Sequence, residues 1–294
     1  MNTASAAVPV ARLATSRALL DQARQVRRAV AALNFYNAET LQAHLRASRA
    51  LAAPLILQTT ESTIKYLGLK MAVAMARAAA EEAEQPLALH LDHGATYDLA
   101  ARCVDAGYTS VMIDGSMLPF EANAELTQRV VAMAHASGVS VEGELGHVAS
   151  AGEPADAASC FTRPEDVARF IELTGVDALA VAVGTAHGFY KGEVRLDFAR
   201  LAAIRDVAGD TALVLHGGSD VPAALLRRTV ESGIAKINFG TDLKDAFTRA
   251  VKRSLLASDD IDLRRTFEPA IKAVEEVSAA KIRACGWGAS EATP

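Results

Sequence analysis

Eight short apolar segments, spaced along most of the chain, constrain how this sequence can fold more than any other feature. Each is too short for a typical helix, and several are rich in Val, Ile and Leu, so they predict strands buried on both faces, as in a parallel sheet. The stretches between them have helical periodicity, such as Leu67, Met71 and Met75 at i, i+4 spacing. The eight segments are Ala29–Leu33, Pro54–Leu57, Leu87–Leu91, Ser110–Ile113, Ser140–Glu144, Ala178–Val183, Ala212–Leu215 and Ile234–Ile237.

Strands that alternate with helices predict a single α/β domain over residues 1–294, a (β/α)8 TIM barrel, with a doubly wound open sheet as the alternative. An extra N-terminal helix at roughly Thr15–Arg28 and a C-terminal helical extension at roughly Asp262–Arg283 lie outside the repeat. The small-residue segment Val148–Ser159 predicts a mobile loop that orders over bound substrate. Thr162–Glu165 predicts a capping box at the start of the following helix.

Composition and charge argue against several functional classes. The formal net charge is −5 and no basic block occurs, which disfavours nucleic-acid binding. No apolar run reaches the ~18 residues of a membrane span. The three cysteines are far apart and form no CxxC pair, and the first fifteen residues lack a signal-peptide pattern. We therefore expect a cytoplasmic protein that acts on small molecules.

A polar side chain follows every predicted strand. In a parallel barrel the C-terminal ends of the strands converge on one rim, where barrel enzymes place their sites. A simpler interpretation is that each strand ends where the sequence becomes polar. That would explain polar residues at these positions, but not the presence of three histidines together with several acids. The residues at these ends are Asn34, Thr60, Asp92, His93, Asp114, Glu144, His187, His216 and Asn238.

Three of these residues, His93, His187 and His216, have the character of metal ligands. Three neutral imidazoles with an open fourth position form a catalytic zinc site, with Zn–N distances of ~2.0–2.1 Å. Asp92 lies beside a proposed ligand, which suits either a general acid/base or a carboxylate that orients His93. The remaining four histidines are interpreted as ordinary core or surface residues: His44, His90, His135 and His147.

Other strand-end residues and loops predict further binding groups. Asp114 and Glu144 either bind a second cation or form a hydrogen-bond network at the rim. The loops after the seventh and eighth strands are glycine-containing, and the second opens a helix whose N-terminus favours an anion, as in many barrel phosphate sites. Lys191 could add positive charge or lie in a solvated loop. The residues of the two loops are Gly217, Gly218 and Ser219, and Asn238, Phe239, Gly240 and Thr241.

Together these segments resemble the class II (zinc-dependent) fructose-bisphosphate/tagatose-bisphosphate aldolase family. The resemblance implies a (β/α)8 barrel and reversible aldol cleavage of a ketose phosphate to dihydroxyacetone phosphate and an aldehyde. It also implies a homodimer or homotetramer. The matching motifs occur in family order and are Asn34–Asn37, Leu87–His93, Val111–Ser116, Glu142–Gly146, Ala182–Gly188, Leu213–Ser219 and Lys236–Thr241.

The resemblance also assigns roles to individual residues. It implies that the three histidines hold Zn²⁺ or another divalent cation. A monovalent cation is a further possible cofactor. Asp114 and Glu144 match the second-metal positions of the family. Asp92 would be the acid/base at the C4 hydroxyl. Thr60 would meet the aldehyde product. The expected contacts to dihydroxyacetone phosphate and the rest of the substrate are Asn34, Gly188, Lys191, Gly217 to Ser219 and Asn238 to Thr241, with Asn238 also counted as catalytic.

Two departures from the family pattern bear on the substrate. The loop after the fifth strand lacks the usual Gly-Gly pair and its acids, which leaves Glu153 as the candidate that moves the proton at the carbanion carbon. Gly240 stands where fructose-bisphosphate-specific members often place an Asp or Asn that contacts the sugar. We expect fructose 1,6-bisphosphate or tagatose 1,6-bisphosphate as substrate and glyceraldehyde 3-phosphate as the aldehyde. The alternatives are another ketose phosphate (deoxy-ketogluconate phosphate or ketose 1-phosphate type), a non-catalytic sugar-phosphate-binding barrel, and a zinc hydrolase.

Overall fold

Eight parallel strands close into a barrel in the computed structural model, which describes residues 13–149 and 160–288. Each strand pairs with the next along the chain, and β8 returns to pair with β1. This closure confirms the predicted (β/α)8 barrel and excludes the open sheet. The strands are β1 (Val30–Asn34), β2 (Leu55–Thr60), β3 (Leu87–Gly94), β4 (Ser110–Ile113), β5 (Ser140–Leu145), β6 (Ala178–Val181), β7 (Ala212–Leu215) and β8 (Ile234–Phe239).

Eleven helices surround this barrel within the described residues. The predicted N-terminal helix and C-terminal extension are both present, as α1 and α11. No helix in residues 13–149 and 160–288 combines the length and the apolar character needed to cross a membrane. The helices are α1 (Ser16–Gln25), α2 (Ala38–Leu51), α3 (Glu61–Leu67), α4 (Leu69–Glu82), α5 (Tyr97–Ala106), α6 (Phe120–His135), α7 (Pro164–Thr174), α8 (Phe198–Val207), α9 (Ala223–Glu231), α10 (Thr241–Ala257) and α11 (Leu263–Ala284).

The side chains inside the barrel change from apolar to polar toward the C-terminal ends of the strands. Leu19 and Leu20 of α1 pack on small apolar side chains at the opposite, N-terminal end. Above them His90, Glu142 and Lys236 are fully buried and contact one another. Because side chains two residues apart in a strand share a face, the next inward positions are Asp92, Glu144 and Asn238. The barrel therefore delivers its polar side chains to one end.

The C-terminal extension α11 packs against α2 and α10. A buried histidine joins two of these elements to the barrel: His44 Nδ1 lies 2.9 Å from Ser278 Oγ of α11, and its Nε2 lies 3.1 Å from the carbonyl oxygen of Asn34. Burial lowers the pKa of His44 to about 4. The extension thus supports the end of β1, which carries a predicted site residue.

The start of α7 differs from the predicted capping box. Thr162 Oγ1 donates to the carbonyl oxygen of Leu145 and accepts the amide N–H of Ala182 at 2.8 Å, and no side chain caps the helix that begins at Pro164. The buried hydroxyl satisfies backbone groups at the ends of β5 and β6, which would otherwise be left without partners. The predicted mobile loop, apart from Val148 and Ala149, lies outside the described residues, and so does Glu153.

Candidate metal centre and active site

Asp92 and His93 are adjacent at the end of β3, yet both side chains reach the rim. Successive side chains of a regular strand point to opposite faces. β3 departs from regularity because its register against β4 shifts between Leu91 and Gly94. In addition, His93 has φ 50°, a left-handed conformation that non-glycine residues rarely adopt and that occurs at functional sites. This local irregularity lets two neighbouring residues serve one site.

Three imidazoles converge at the rim. Ring nitrogens of His93, His187 and His216 lie within 4.8 Å of one another. His93 Nε2 and His216 Nδ1 are 2.8 Å apart, and the ring centroids of His93 and His187 are 5.0 Å apart. His187 lies in the loop after β6, and its amide donates to the carbonyl oxygen of Ala149 at 2.9 Å. Three convergent nitrogens from separate strands form a donor set that fits a divalent cation.

A buried ion pair orients one of these rings. Glu142 Oε1 accepts from His216 Nε2 at 2.8 Å, and Glu142 Oε2 accepts from Lys236 Nζ at 2.7 Å. All three side chains are fully buried. Because a carboxylate accepts at Nε2, the proton of His216 is fixed there, and the lone pair of Nδ1 faces the other two histidines. The sequence analysis did not single out Glu142 or Lys236. The available signal was that each lies two residues before a predicted site residue on the same strand.

The charges around the histidines differ from ring to ring. Burial, together with the charge on His93, lowers the pKa of His187 to about 4 and holds that of His216 well below its ordinary value. Burial also lowers the pKa of His93, but the hydrogen bond to Asp114 and the charge of Asp92 outweigh it and raise the pKa to about 9. One proton therefore resides on the cluster at neutral pH, and a bound cation would displace it.

Asp114 and Glu144 form a second potential ligand group with His93. His93 Nδ1 donates to Asp114 Oδ2 at 2.7 Å, so Asp114 orients that ring. Glu144 Oε2 is buried without a hydrogen-bond partner among the described residues. Burial and the nearby charge of Asp114 raise the pKa of Glu144 to about 8. This unpartnered oxygen fits either a second cation or a protonated carboxyl group, the two interpretations that the sequence left open.

Asp92 is held by amide groups that lie on three other strand ends. Its carboxylate accepts from Asn34 Nδ2 at 3.1 Å, Gln58 Nε2 at 3.3 Å and Asn238 Nδ2 at 3.0 Å. Burial alone would raise the pKa of Asp92, but the charges of the nearby histidines and Lys236 lower it below its ordinary value. The arrangement presents an oriented, ionised carboxylate beside the histidine cluster.

A cavity of about 240 Å³ opens above these residues. Tyr36, Ser62 and Lys244 line it and were missed by the sequence analysis, because they lie two residues or one helical turn beyond a strand end. The predicted residues that line it are Asn34, Thr60, Asp92, His93, His187, Gly188, Gly217, Ser219, Asn238, Gly240 and Thr241.

The other predicted residues lie behind or away from the cavity. His216 and Glu144 are buried beneath it, and Asp114 lies behind His93. Phe239 is buried against Gly218, where an added Cβ would lie 2.8 Å from its ring. The structure leaves Lys191 exposed on the surface, in agreement with the solvated-loop interpretation.

The two glycine-containing loops meet at the cavity. Gly217 has φ +67°, and a Cβ there would lie 2.5 Å from the carbonyl oxygen of Ala186, so only glycine fits. Ser219 Oγ accepts the amide N–H of Gly240 at 3.2 Å and joins one loop to the other. α10 begins at Thr241 without a side-chain cap. The positive end of its dipole can therefore face an anion in the cavity.

The chain is similar in sequence and fold to known aldolases. The family described as fructose-bisphosphate aldolase class-II matches residues 14–289. The YdjI aldolase from Escherichia coli K12 is 32% identical, with a TM-score of 0.81 over 93% of this chain and 97% of that chain. A candidate fructose-1,6-biphosphate aldolase from Coccidioides immitis is 28% identical, with a TM-score of 0.83 over 92% and 96%.

Fructose-bisphosphate aldolase from Campylobacter jejuni shares the fold. It is 23% identical, with a TM-score of 0.79 over 93% of this chain and 95% of that chain. The family match covers nearly the whole chain, including every strand and the convergent histidines. The chain therefore belongs to the class-II fructose-bisphosphate aldolase family.

Proposed function

We propose that this protein is a metal-dependent aldolase that reversibly cleaves a ketose phosphate to dihydroxyacetone phosphate and an aldehyde. One observation carries the proposal: three imidazole nitrogens converge within 4.8 Å of one another, beside a cavity that Asp92 also lines. Fructose 1,6-bisphosphate and tagatose 1,6-bisphosphate are the first substrates to test, with glyceraldehyde 3-phosphate as the expected aldehyde.

His93, His187 and His216 would hold the divalent cation, and three imidazoles suit Zn²⁺. The 2.8 Å approach of His93 Nε2 to His216 Nδ1 and the convergence of all three rings support a fit. When bound, the cation would supply electrostatic stabilisation of the negative charge that develops on the dihydroxyacetone phosphate half. Glu142 keeps His216 in the tautomer that such binding requires.

The loops after β7 and β8 would bind the C1 phosphate. Gly217, Ser219 and Thr241 line the cavity at this end, and the N-terminus of α10 adds its dipole. A phosphate fixed here sets the distance from C1 to the rest of the substrate. The bond to be cleaved then lies between the histidine cluster and Asp92, which is the positioning that aldol cleavage requires.

Asp92 would move the proton of the C4 hydroxyl. Its carboxylate accepts that proton when the C3–C4 bond breaks and returns it in the condensation direction. Asn34, Gln58 and Asn238 keep the carboxylate oriented. The proton at C3 of dihydroxyacetone phosphate needs a separate base. Glu153 is the residue predicted for that role. It lies outside the described residues, so the prediction is untested.

The test is a panel of ketose mono- and bisphosphates assayed for triose-phosphate release, with and without a chelator. We expect release from at least one ketose phosphate, loss on chelation, and recovery with Zn²⁺ or another divalent cation. Release of inorganic phosphate instead would favour a hydrolase on the same barrel. Binding of ketose phosphates without turnover in the metal-loaded protein would favour a non-catalytic binding barrel. The homodimer or homotetramer stays a prediction.

A further inference from the structure

Tyr36 lines the cavity, and its hydroxyl group has no part in the cleavage chemistry proposed above. Within residues 13–149 and 160–288, no group donates a hydrogen bond to it or accepts one from it. Burial and the charge of Asp92 raise the pKa of Tyr36 well above its ordinary value, so the phenol stays protonated. It is therefore a free hydrogen-bond donor beside Gly240, and both residues line the cavity.

Gly240 leaves the space that this hydroxyl uses. A Cβ at position 240 would lie 2.8 Å from Asn34 Oδ1 and 3.4 Å from Tyr36 Oη. Asn34 cannot easily give way, because its Oδ1 accepts from Gln58 at 2.9 Å and its Nδ2 donates to Asp92 at 3.1 Å. The polar side chain on this side of the cavity is therefore Tyr36, from the loop after β1. Gly240 has no side chain to contribute.

The position of Tyr36 along the rim indicates which half of the substrate it meets. β1 lies between β8, which leads into one of the proposed phosphate loops, and β2, which ends at Thr60. With the C1 phosphate held at the β7 and β8 loops and the C4 oxygen at Asp92, carbons beyond C4 extend toward the β1 and β2 loops. Tyr36, Thr60 and Ser62 line the cavity there.

Among these hydroxyls Tyr36 is the available donor. Thr60 Oγ1 caps α3 and lies 2.9 Å from Ser62 Oγ, so these two side chains already have partners. Lys244 Nζ lies 5.9 Å from the centroid of the Tyr36 ring and favours its placement by a cation–π contact.

We propose that Tyr36 determines specificity by donating a hydrogen bond to the substrate hydroxyl on C5, the carbon next to the aldehyde carbon. The aldehyde that fits best is then a 2-hydroxyaldehyde, whether or not it carries a phosphate further along. This assignment rests on the proposed aldolase activity, and it distinguishes Tyr36 from Asp92, which acts at C4.

The experiment measures condensation of dihydroxyacetone phosphate with glycolaldehyde and with acetaldehyde, which differ only in the 2-hydroxyl group. In Tyr36→Phe the ratio of kcat/KM for glycolaldehyde to that for acetaldehyde should fall by about 3- to 10-fold, as expected for one neutral hydrogen bond. The matched control is Tyr66→Phe, because Tyr66 is 78% exposed and lies outside the cavity. The control should keep the wild-type ratio.

Two results would overturn the assignment while leaving the aldolase proposal intact. One is an unchanged ratio in Tyr36→Phe. The other is a fall in solvent exchange of the dihydroxyacetone phosphate proton as large as the fall with glycolaldehyde, which would put Tyr36 at the other half of the substrate. A metal-loaded wild-type protein that forms no product with either aldehyde and cleaves no ketose phosphate would overturn the proposed function, and this assignment with it.

Discussion

Asp92 is the residue at which binding and chemistry can be separated. It is not a proposed ligand, and its carboxylate is oriented by three amides. Asp92→Ala should therefore retain metal and substrate binding while kcat falls by roughly 10²–10⁴-fold, the usual contribution of a positioned acid/base. Metal content, KM and kcat for cleavage are the measurements, and Asp259→Ala on the exposed surface is the control.

Solvent exchange of the dihydroxyacetone phosphate proton adds a second measurement on Asp92→Ala. Exchange should survive better than cleavage, because it uses a different base. Loss of metal from the variant would show instead that Asp92 acts by holding His93. An equal loss of exchange and cleavage with metal retained would contradict the separation of the two proton transfers.

Glu142 is the residue that connects the proposed metal site to the barrel interior. A glutamine has the same shape, but it cannot accept from both His216 and Lys236, so one contact of 2.7–2.8 Å is lost. We expect Glu142→Gln to weaken metal affinity by about 10- to 100-fold, as is typical for groups that orient a ligand. Competition against a chelator of known affinity measures this. Unchanged affinity would show that His216 needs no orienting partner.

Lys236→Met provides the complementary variant at the same contact. It keeps the hydrogen bond from His216 to Glu142 but leaves that carboxylate buried without its cationic partner. Breaking a buried pair in this way costs about 3–5 kcal/mol, so this variant should mainly lower the free energy of unfolding. A denaturant titration of the metal-free protein separates this effect from the effect on metal affinity.

At the scale of elements, the contact between α2 and α11 predicts sensitivity to acid. Burial lowers the pKa of His44 to about 4 in the folded protein, against about 6.5 when unfolded. Protons therefore favour the unfolded chain, and the stabilisation present above pH 6.5 is lost as pH falls toward 4. At pH 5 the loss from this residue is roughly 2 kcal/mol.

His44→Gln tests this prediction. Any free energy that the substitution loses through poorer packing is the same at pH 8 and at pH 5. The loss of stability caused by protonation of His44 occurs only in the wild type. The difference in free energy of unfolding between the two pH values should shrink by roughly 2 kcal/mol in the variant. An identical difference in both proteins would mean that His44 keeps its ordinary pKa in the fold.

At the scale of the whole molecule, metal binding should depend on a closed barrel. The three proposed ligands come from β3, from the loop after β6 and from the end of β7, so the unfolded chain holds no preformed site. Free Zn²⁺ at about 100 times its Kd should stabilise the fold by about 2.7 kcal/mol and raise Tm by roughly 4–5 °C. His216→Ala should lose this shift together with activity, and a Tm shift of the same size in that variant would argue against the histidine cluster.

Local sequence patterns are enough to predict the barrel and the polar residues at its rim. Each strand corresponds to a short apolar segment of the sequence. The polar residue at or just after its end is visible in the sequence too, as at Asn34, His216 and Asn238. Parallel strands bring their C-terminal ends together whatever the details of packing. These two facts predicted eight strands and a clustered histidine set without any knowledge of contacts.

Contacts between side chains across the barrel could not be predicted in this way, because they depend on the tertiary structure. Glu142 contacts Lys236 because β5 and β8 face each other across the closed interior, a relation that no local pattern contains. Thr162 satisfies strand ends and does not cap its helix, because the groups it contacts belong to β5 and the segment after β6. Tyr36 enters the cavity because Gly240, distant in sequence, leaves space beside Asn34. Propensity acts between neighbours in the chain, whereas these contacts depend on barrel closure and register.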